Sequence, residues 1–172
     1  DRLVIFSERI ETLRWLEKQL SQDLKLKPNQ VAVLHGQMAD TEQQELVDRF
    51  GRLEDPIRVL LCSDVASEGL NLHYFCHRLV HFDLPWSLMV FQQRNGRIDR
   101  YGQQCQPLIR YLLSESANPR VRGDADMRHE QRQCPQCRGG GFTAQAQQVI
   151  QRFRAEHGDR LNPALRQRGM QR

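Results

Sequence analysis

Five short apolar runs, separated by segments with helical periodicity, are the feature that most limits how this chain can fold. The runs are almost continuously apolar rather than alternating, which is typical of strands that are buried on both faces. Strands that alternate with helices along the chain predict an α/β fold, with a parallel sheet covered by helices on both faces. The runs cover residues 3–6, 31–34, 57–62, 79–82 and 108–113.

Polar residues that stand before the helical segments predict where the helices begin. Ser7 can cap a helix whose apolar positions recur every three or four residues. Thr41 and Gln44 have the spacing of a capping box for a second helix. Ser87 precedes a third helix, which we expect to run to about Gly96.

The ends of the apolar runs carry the polar residues of greatest interest. In parallel sheets of this kind, functional loops follow the carboxyl ends of the strands. Gly36 stands in such a loop, where we expect a turn with the unusual backbone angles that glycine permits. The residues at these ends are Ser7, His35, Gly36, Ser63, Asp64 and Asp83.

Charge divides the chain into two parts. Residues 1–115 hold 14 Lys and Arg against 16 Asp and Glu, a net charge of −2. Residues 116–172 hold 11 against 5, a net charge of +6, and are rich in Gln, Arg and Gly with little periodicity. We therefore expect one domain over residues 1–115 and a basic tail of uncertain fold. The tail either contacts nucleic acid or is a solvated segment, and composition does not separate the two.

The five cysteines are an odd number, and reduced thiols in a reducing cytoplasm explain them most simply. Cys134 and Cys137 form a Cys-x-x-Cys pair, which is half of a structural zinc site. Candidates for the other ligands are irregularly spaced, so the alternative is two reduced thiols in a loop. The chain has no run of about 18 apolar residues, and we expect no membrane partner.

The strongest motif is the Gln-Arg-Asn-Gly-Arg-Ile-Asp-Arg-Tyr-Gly-Gln segment of residues 93–103. Arg97 and Arg100 are three residues apart, and Gln93 stands one turn earlier, so the three share one side of a helical turn. Planar guanidinium groups aimed at one place suit the charge that develops on a phosphoryl group during transfer. Arg94 is off that face and is predicted to be a surface residue. The alternative is a solvated helix face with ordinary surface arginines.

With this motif, the chain resembles the second RecA-like lobe of the Swi/Snf-type ATPases of superfamily 2. Residues 93–103 resemble motif VI, residues 4–7 motif IV and residues 60–72 motif V. Residues 34–36 and 80–86 resemble two further segments, and all five follow in order within residues 1–115. The resemblance is closest to bacterial RapA-like members and to helicase-like members of phage-defence systems. It implies a three-layer RecA-like fold.

The resemblance also implies roles for single residues. Arg97 and Arg100 would be arginine fingers that reach the γ-phosphate of ATP, and Gln93 would orient them. Each of three residues has an alternative role. Asp64 would cap the short helix after its strand, Gly69 would be needed only for its backbone angles, and Trp86 would pack against other side chains. The nucleotide-sensing residues would be Asp64, Glu68 and Gly69, and the DNA-contacting residues would be Ser7, His35, Gly36, Ser63, Asn71 and Trp86.

Two elements of an ATPase have no counterpart in the sequence. There is no Gly-x-x-x-x-Gly-Lys-[Ser/Thr] loop and no strand that ends in an Asp-Glu pair for magnesium. Because the chain also begins at Asp1 rather than Met, we expect a first RecA-like lobe before it, which binds most of ATP and Mg²⁺.

The expected function is an ATP-dependent translocase on double-stranded DNA. Its partners would be DNA, the first lobe, and RNA polymerase or defence-system proteins, in a bacterial cytoplasm at the nucleoid. The alternatives are a strand-separating DNA or RNA helicase lobe, and a non-catalytic binding module.

Overall fold

The structure is a computed structural model that describes residues 2–64 and 69–112. The helices of this region are α1 (Ile10–Asp23), α2 (Asp40–Gly51) and α3 (Leu88–Asn95), with one 3₁₀ turn at Pro28–Gln30. None of these helices is long and apolar enough to cross a membrane. The strands are β1 (Leu3–Phe6), β2 (Val31–Leu34), β3 (Val59–Cys62), β4 (Arg78–His81) and β5 (Leu108–Tyr111).

The five strands form one parallel sheet, as the sequence predicts, and the structure shows their order to be β2-β3-β1-β4-β5. The ladders continue past the strand ends, where Ser7 N donates to Cys62 O at 3.1 Å and Phe82 N donates to Phe6 O at 2.9 Å. The residues that follow β1 to β4 therefore meet along one side of the sheet. We call this side the carboxyl edge, and it includes Ser7, His35, Ser63, Asp64 and Asp83.

Helices cover both faces of the sheet. On one face, Leu13, Leu16 and Leu20 of α1 pack in one buried cluster with side chains of β1 and β3 such as Ile5 and Leu61. On the other face, α2 contributes Val47 and Phe50 to a second buried cluster. Each fully buried side chain of this size stabilises the fold by about 1.5–3 kcal/mol relative to an exposed one. The predicted three-layer α/β architecture is confirmed.

Two predicted helix caps are wrong. Helix α1 has Arg9 at its N-cap position, and α2 has Ala39, and neither side chain makes a capping bond. The Ser7 hydroxyl donates to Asp83 at 2.5 Å instead, because the end of β4 brings a carboxylate within reach, and a charged oxygen is a stronger acceptor. Gln44 donates to Asp48 within α2 rather than to a helix end.

Positive backbone φ angles occur at two described glycines. They are Gly69, at +77°, and Gly102, at +95°. The expectation of unusual angles at Gly36 is wrong, since its turn is closed by a bond from Met38 N to His35 O at 3.1 Å and needs no left-handed residue. The positive φ angle of Gly69 agrees with the alternative that this glycine is needed only for its backbone angles.

Some predictions concern residues outside the described part of the chain. They are the nucleotide-sensing role of Glu68, the zinc candidates Cys134 and Cys137, and the fold of the tail over residues 116–172.

Candidate functional site

A buried arginine lies at the centre of the carboxyl edge. Arg94, on the last turn of α3, is only 1% exposed. Its Nε donates to Asp64 Oδ1 at 2.5 Å, and its Nη2 donates to Asp64 Oδ2 at 2.8 Å, a bidentate contact. Its Nη1 donates to the main-chain oxygen of Asp83 at 2.8 Å and to Asp83 Oδ1 at 3.2 Å. One guanidinium therefore joins the residues that follow β3 and β4.

The contacts extend to the end of β1. Asp83 Oδ2 accepts hydrogen bonds from the Ser7 hydroxyl at 2.5 Å and from Glu8 N at 3.0 Å. The Arg94 guanidinium lies over the ring of Phe6, 5.6 Å from its centre. We call Ser7, Asp64, Asp83 and Arg94 the ionic cluster. It connects the ends of the three adjacent strands β3, β1 and β4.

The prediction that Arg94 is a surface residue is wrong. Helical spacing places Arg94 on a different side from Arg97 and Arg100, but it does not say which side of the segment faces the protein. Arg94 is the buried residue of α3, because the two aspartates at the strand ends compensate its charge. Asp64 and Asp83 each follow the end of a buried strand. Two carboxylates at these positions were the only indication in the sequence that an arginine of the next helix would be buried against them.

The electrostatics of the cluster keep Arg94 charged. Burial by itself lowers the pKa of an arginine, but the hydrogen bonds and charges of Asp64 and Asp83 outweigh it, so the pKa of Arg94 is raised. The positive charge of Arg94 is therefore compensated by carboxylates of the same lobe.

The two arginines predicted to act on phosphate lie just after α3, in a segment that we call the arginine turn, residues 96–103. Helix α3 ends at Asn95, so Arg97 and Arg100 are in this turn and not in the helix. Arg97 N donates to Arg94 O at 3.2 Å, and Asp99 N donates to Asn95 O at 2.8 Å. The main chain of the turn is thus bonded to the last turn of α3.

Side chains also anchor the arginine turn to the core. Ile98 is fully buried within the cluster that α2 covers. Gln103 Nε2 donates to Cys76 O at 3.0 Å and to Ile98 O at 3.1 Å. Gly102 closes the turn with its positive φ, and a Cβ there would lie 3.8 Å from His73 Nε2. The turn is therefore a fixed element of the lobe and not a loose loop.

The two arginines of the arginine turn differ in exposure. Arg97 is half-buried and Arg100 is exposed, as is Gln93 at the other end of the motif. Arg100 Nη1 donates to the Oδ1 atom of Asn71, a neutral amide. Within residues 2–64 and 69–112, no carboxylate forms an ion pair with Arg100. Unlike Arg94, Arg100 keeps a charge that an external anion can use.

The model of the helicase conserved C-terminal domain matches residues 1–102 of this chain. The chain belongs to that family.

Relatives agree with this assignment. The RNA polymerase-associated protein RapA of Yersinia enterocolitica is 33% identical over 114 residues, which are 65% of this chain and 11% of RapA. The C-terminal part of the Fun30 ATPase domain superposes with a TM-score of 0.62 at 22% identity, over 89% of this chain and 48% of that one. The SWI2/SNF2 ATPase core of Sulfolobus solfataricus, solved in complex with double-stranded DNA, superposes with a TM-score of 0.50 at 22% identity, over 64% and 22%.

The resemblance to the C-terminal RecA-like lobe of Swi/Snf-type superfamily 2 ATPases is therefore confirmed. The chain spans about a tenth of the length of the RapA sequences that it matches.

The predicted DNA-contacting residues of this helicase lobe differ in exposure. Gly36 and Asn71 are exposed, and Trp86 is 81% exposed, so Trp86 does not pack within the described part of the lobe. Ser7 and Ser63 are buried. The Ser7 hydroxyl already donates to Asp83, whereas Ser63 Oγ is without a hydrogen-bond partner among the described residues.

Metal ligands are not grouped in the described part of the lobe. Within residues 2–64 and 69–112, no set of three His, Cys, Asp or Glu side chains is arranged to hold a metal ion.

The sequence interpretation missed His81, at the end of β4. His81 is fully buried, its Nε2 lies 2.8 Å from Asn95 Oδ1, and its ring stacks on Phe91 with centres 4.5 Å apart. Burial lowers the pKa of His81 to about 4, although the Asn95 contact acts in the opposite direction, so the ring is neutral. His81 therefore fixes the last turn of α3 against β4, next to the ionic cluster. In the sequence, the only indication that His81 is buried was its place within an apolar run.

Proposed function

We propose that this chain is the C-terminal lobe of an ATP-dependent translocase on double-stranded DNA, and that it works with a first RecA-like lobe that binds ATP and Mg²⁺. One observation carries the proposal. Arg100 is exposed on an anchored turn that also holds Arg97, and Arg100 donates to the neutral amide of Asn71 rather than to a carboxylate. This is the arrangement that a lobe needs in order to place positive charge on a phosphate held by another domain.

The residues of the arginine turn fit the terminal phosphate of ATP. Arg97 and Arg100 would hold it, because guanidinium groups are always charged and present planar donors to phosphate oxygens. ATP, when bound between the lobes, supplies the phosphoryl group whose transfer to water provides the free energy. The turn is anchored through Ile98 and Gln103, so its donors require little rearrangement as charge develops. Mg²⁺ would be held by carboxylates of the first lobe.

DNA is the proposed track. The RapA relatives are named for their association with RNA polymerase, and the Sulfolobus core was solved with double-stranded DNA. The exposed groups at Gly36, Asn71 and Trp86 suit contacts with a DNA backbone, which carry no sequence information. We place such a protein in the bacterial cytoplasm at the nucleoid, with RNA polymerase or defence-system proteins as further partners.

The decisive experiment replaces Arg97 and Arg100 in the full-length protein. Arg97→Ala and Arg100→Ala should each lower DNA-stimulated ATP turnover by about 10³-fold, because a finger acts where charge develops in the transition state. ATP binding should change far less, since the first lobe holds most of the nucleotide. Steady-state hydrolysis and nucleotide binding measure the two effects.

The matched control is Arg14→Ala, on the exposed side of α1. Arg94 is unsuitable as a control because it is buried in the ionic cluster. Near-normal turnover in both Arg97→Ala and Arg100→Ala would refute the finger assignment. A strand-displacement assay on the wild-type protein separates a translocase from a helicase, and efficient displacement of a plain duplex would favour the helicase.

A further inference from the structure

Arg94 carries a charge that the proposed function does not use. It is buried and paired with Asp64 and Asp83, so it cannot reach a phosphate on another lobe. A buried guanidinium is costly unless its partners compensate it, and replacement of a whole buried ion pair by apolar residues is often neutral or stabilising, so such a pair is weak evidence of a role in stability alone. Arg94 lies at the carboxyl edge and its main-chain oxygen is bonded to Arg97 N, which indicates a role in the geometry of the site.

The ionic cluster gathers three strand ends onto one side chain. Arg94 contacts Asp64 after β3 through Nε and Nη2, and it contacts Asp83 after β4 through Nη1 and the same Nη2. Asp83 in turn accepts the Ser7 hydroxyl at the end of β1. A movement of any of these strand ends relative to α3 would break at least one of these bonds.

The main chain carries the position of Arg94 to the arginine turn. Arg94 O accepts the N–H of Arg97, one turn further along. Asn95 O accepts the N–H groups of Ile98 at 3.1 Å and Asp99 at 2.8 Å. The side chain of Arg94 therefore fixes the end of α3 to the sheet, and the end of α3 fixes the segment that bears Arg97 and Arg100.

We propose that Arg94 is a positioning residue for ATP hydrolysis, which holds the arginine turn in register with the ends of β3 and β4 through the ionic cluster. It links the position of Arg97 and Arg100 to that of Asp64, the residue predicted to sense the nucleotide. This proposal rests on the proposed function, because positioning matters for turnover only if Arg97 and Arg100 act on phosphate.

Arg94→Lys is the most informative substitution. Lysine keeps the positive charge and most of the length, but its single ammonium group cannot make the bidentate contact with Asp64 and also bond Asp83. The matched control is Arg49→Lys, since Arg49 Nε also pairs with an aspartate, Asp55 Oδ2 at 3.0 Å, but near the start of β3 on the opposite side of the sheet. Both variants exchange an ion-paired arginine for lysine, and they differ in where the pair lies.

The test uses the full-length protein at a temperature where thermal denaturation shows both variants folded. Arg94→Lys should lower kcat for DNA-stimulated ATP hydrolysis by about tenfold or more, since small misplacements of catalytic groups have effects of that order. KM for ATP should stay within about threefold, the signature of a loss in the transition state. Arg49→Lys should leave both parameters within about twofold, as expected for a half-exposed pair.

A double variant separates positioning from a merely structural role. If Arg94 acts through Arg97, then Arg94→Lys combined with Arg97→Ala should lose less activity than the product of the two single losses. Losses that multiply, or a normal kcat in folded Arg94→Lys, would overturn the proposal. If Arg94→Lys does not fold, Asp83→Asn, which removes charge from the cluster at nearly constant shape, is measured with the same expectation.

The outcomes also distinguish this proposal from the one on which it rests. Near-normal turnover in Arg97→Ala and Arg100→Ala would refute the finger assignment, and positioning with it. Strong losses in those two variants with normal turnover in Arg94→Lys would refute positioning alone.

Discussion

Two buried arginines lie on opposite sides of the sheet, and their partners are of different kinds. Arg2, directly before β1, is 7% exposed, and Arg94, above the carboxyl edge, is 1% exposed. Each guanidinium lies over a phenylalanine ring, Arg2 at 5.2 Å from the centre of Phe50 and Arg94 at 5.6 Å from that of Phe6. Arg2 donates to the main-chain oxygens of Phe50 and Arg52, at the end of α2. Arg94 donates to two carboxylates.

The electrostatic consequences also differ. Burial lowers the pKa of Arg2, and the nearby charge of Arg58 lowers it further. The pKa of Arg94 is raised, because Asp64 and Asp83 outweigh the effect of burial. Arg2 satisfies carbonyl groups that a helix end leaves unpaired, which is a structural task. Arg94 joins strand ends around the candidate site, so under the proposed function the carboxyl edge positions the site, whereas Arg2 acts in stability alone.

The first and largest prediction compares the two arginines directly. Arg94→Met should lower the free energy of unfolding by about 3–5 kcal/mol, because it leaves two carboxylates without their cation. Arg2→Met should cost about 1–3 kcal/mol, since it leaves neutral carbonyl oxygens unpaired. Urea denaturation of both variants measures the difference. Equal losses would mean that the two sides of the sheet do not differ in this way.

The second prediction uses two histidines at opposite ends of β4. His81, at the carboxyl edge, has a pKa lowered by burial from 6.5 to about 4, so protonation favours the unfolded chain. Its contribution to stability is present above pH 6.5 and is lost as the pH falls toward 4, with a total of about 3 kcal/mol. His81→Phe should therefore flatten the dependence of the free energy of unfolding on pH in that window.

His77 provides the control for this measurement. It directly precedes β4, is half-buried, and has a pKa that burial and then Arg78 lower. His77→Phe should flatten the same curve less than His81→Phe does. Denaturant midpoints between pH 4 and pH 7 measure both slopes, and a larger effect of His77→Phe would contradict the assignment of the main titration to the carboxyl edge.

The smallest effect on stability is expected at two exposed apolar side chains. Trp86, after β4, is 81% exposed, and Leu53, after α2, is 91% exposed. Replacement of either by alanine should change the free energy of unfolding by no more than about 0.5 kcal/mol. Only Trp86→Ala should weaken DNA binding by the full-length protein, as measured by fluorescence anisotropy at fixed salt. Equal DNA affinities of the two variants would remove Trp86 from the proposed DNA surface.

Local patterns were sufficient to predict the sheet and its covering helices. The apolar runs that define β1 and β2 match the observed strands, and those of β3, β4 and β5 differ by one or two residues at their ends. Strands predicted from continuous apolar runs are wrong only at their ends, because burial on both faces requires apolar side chains along the whole strand. The alternation of strand and helix likewise determines a parallel sheet, since parallel neighbours require a crossover.

Tertiary structure decided the partners of the polar side chains. Ser7 has the sequence context of a helix cap, yet its hydroxyl bonds a carboxylate 76 residues away. Arg94 and Arg97 stand in one motif and carry the same charge. Their spacing placed them on different sides of the segment, but it did not show which side is buried. Asp64 and Asp83 determine that Arg94 is the buried arginine, because a guanidinium is stable in the interior only where carboxylates compensate its charge. Helical spacing is a property of the segment itself, whereas burial of a charge depends on groups that only the folded chain brings together.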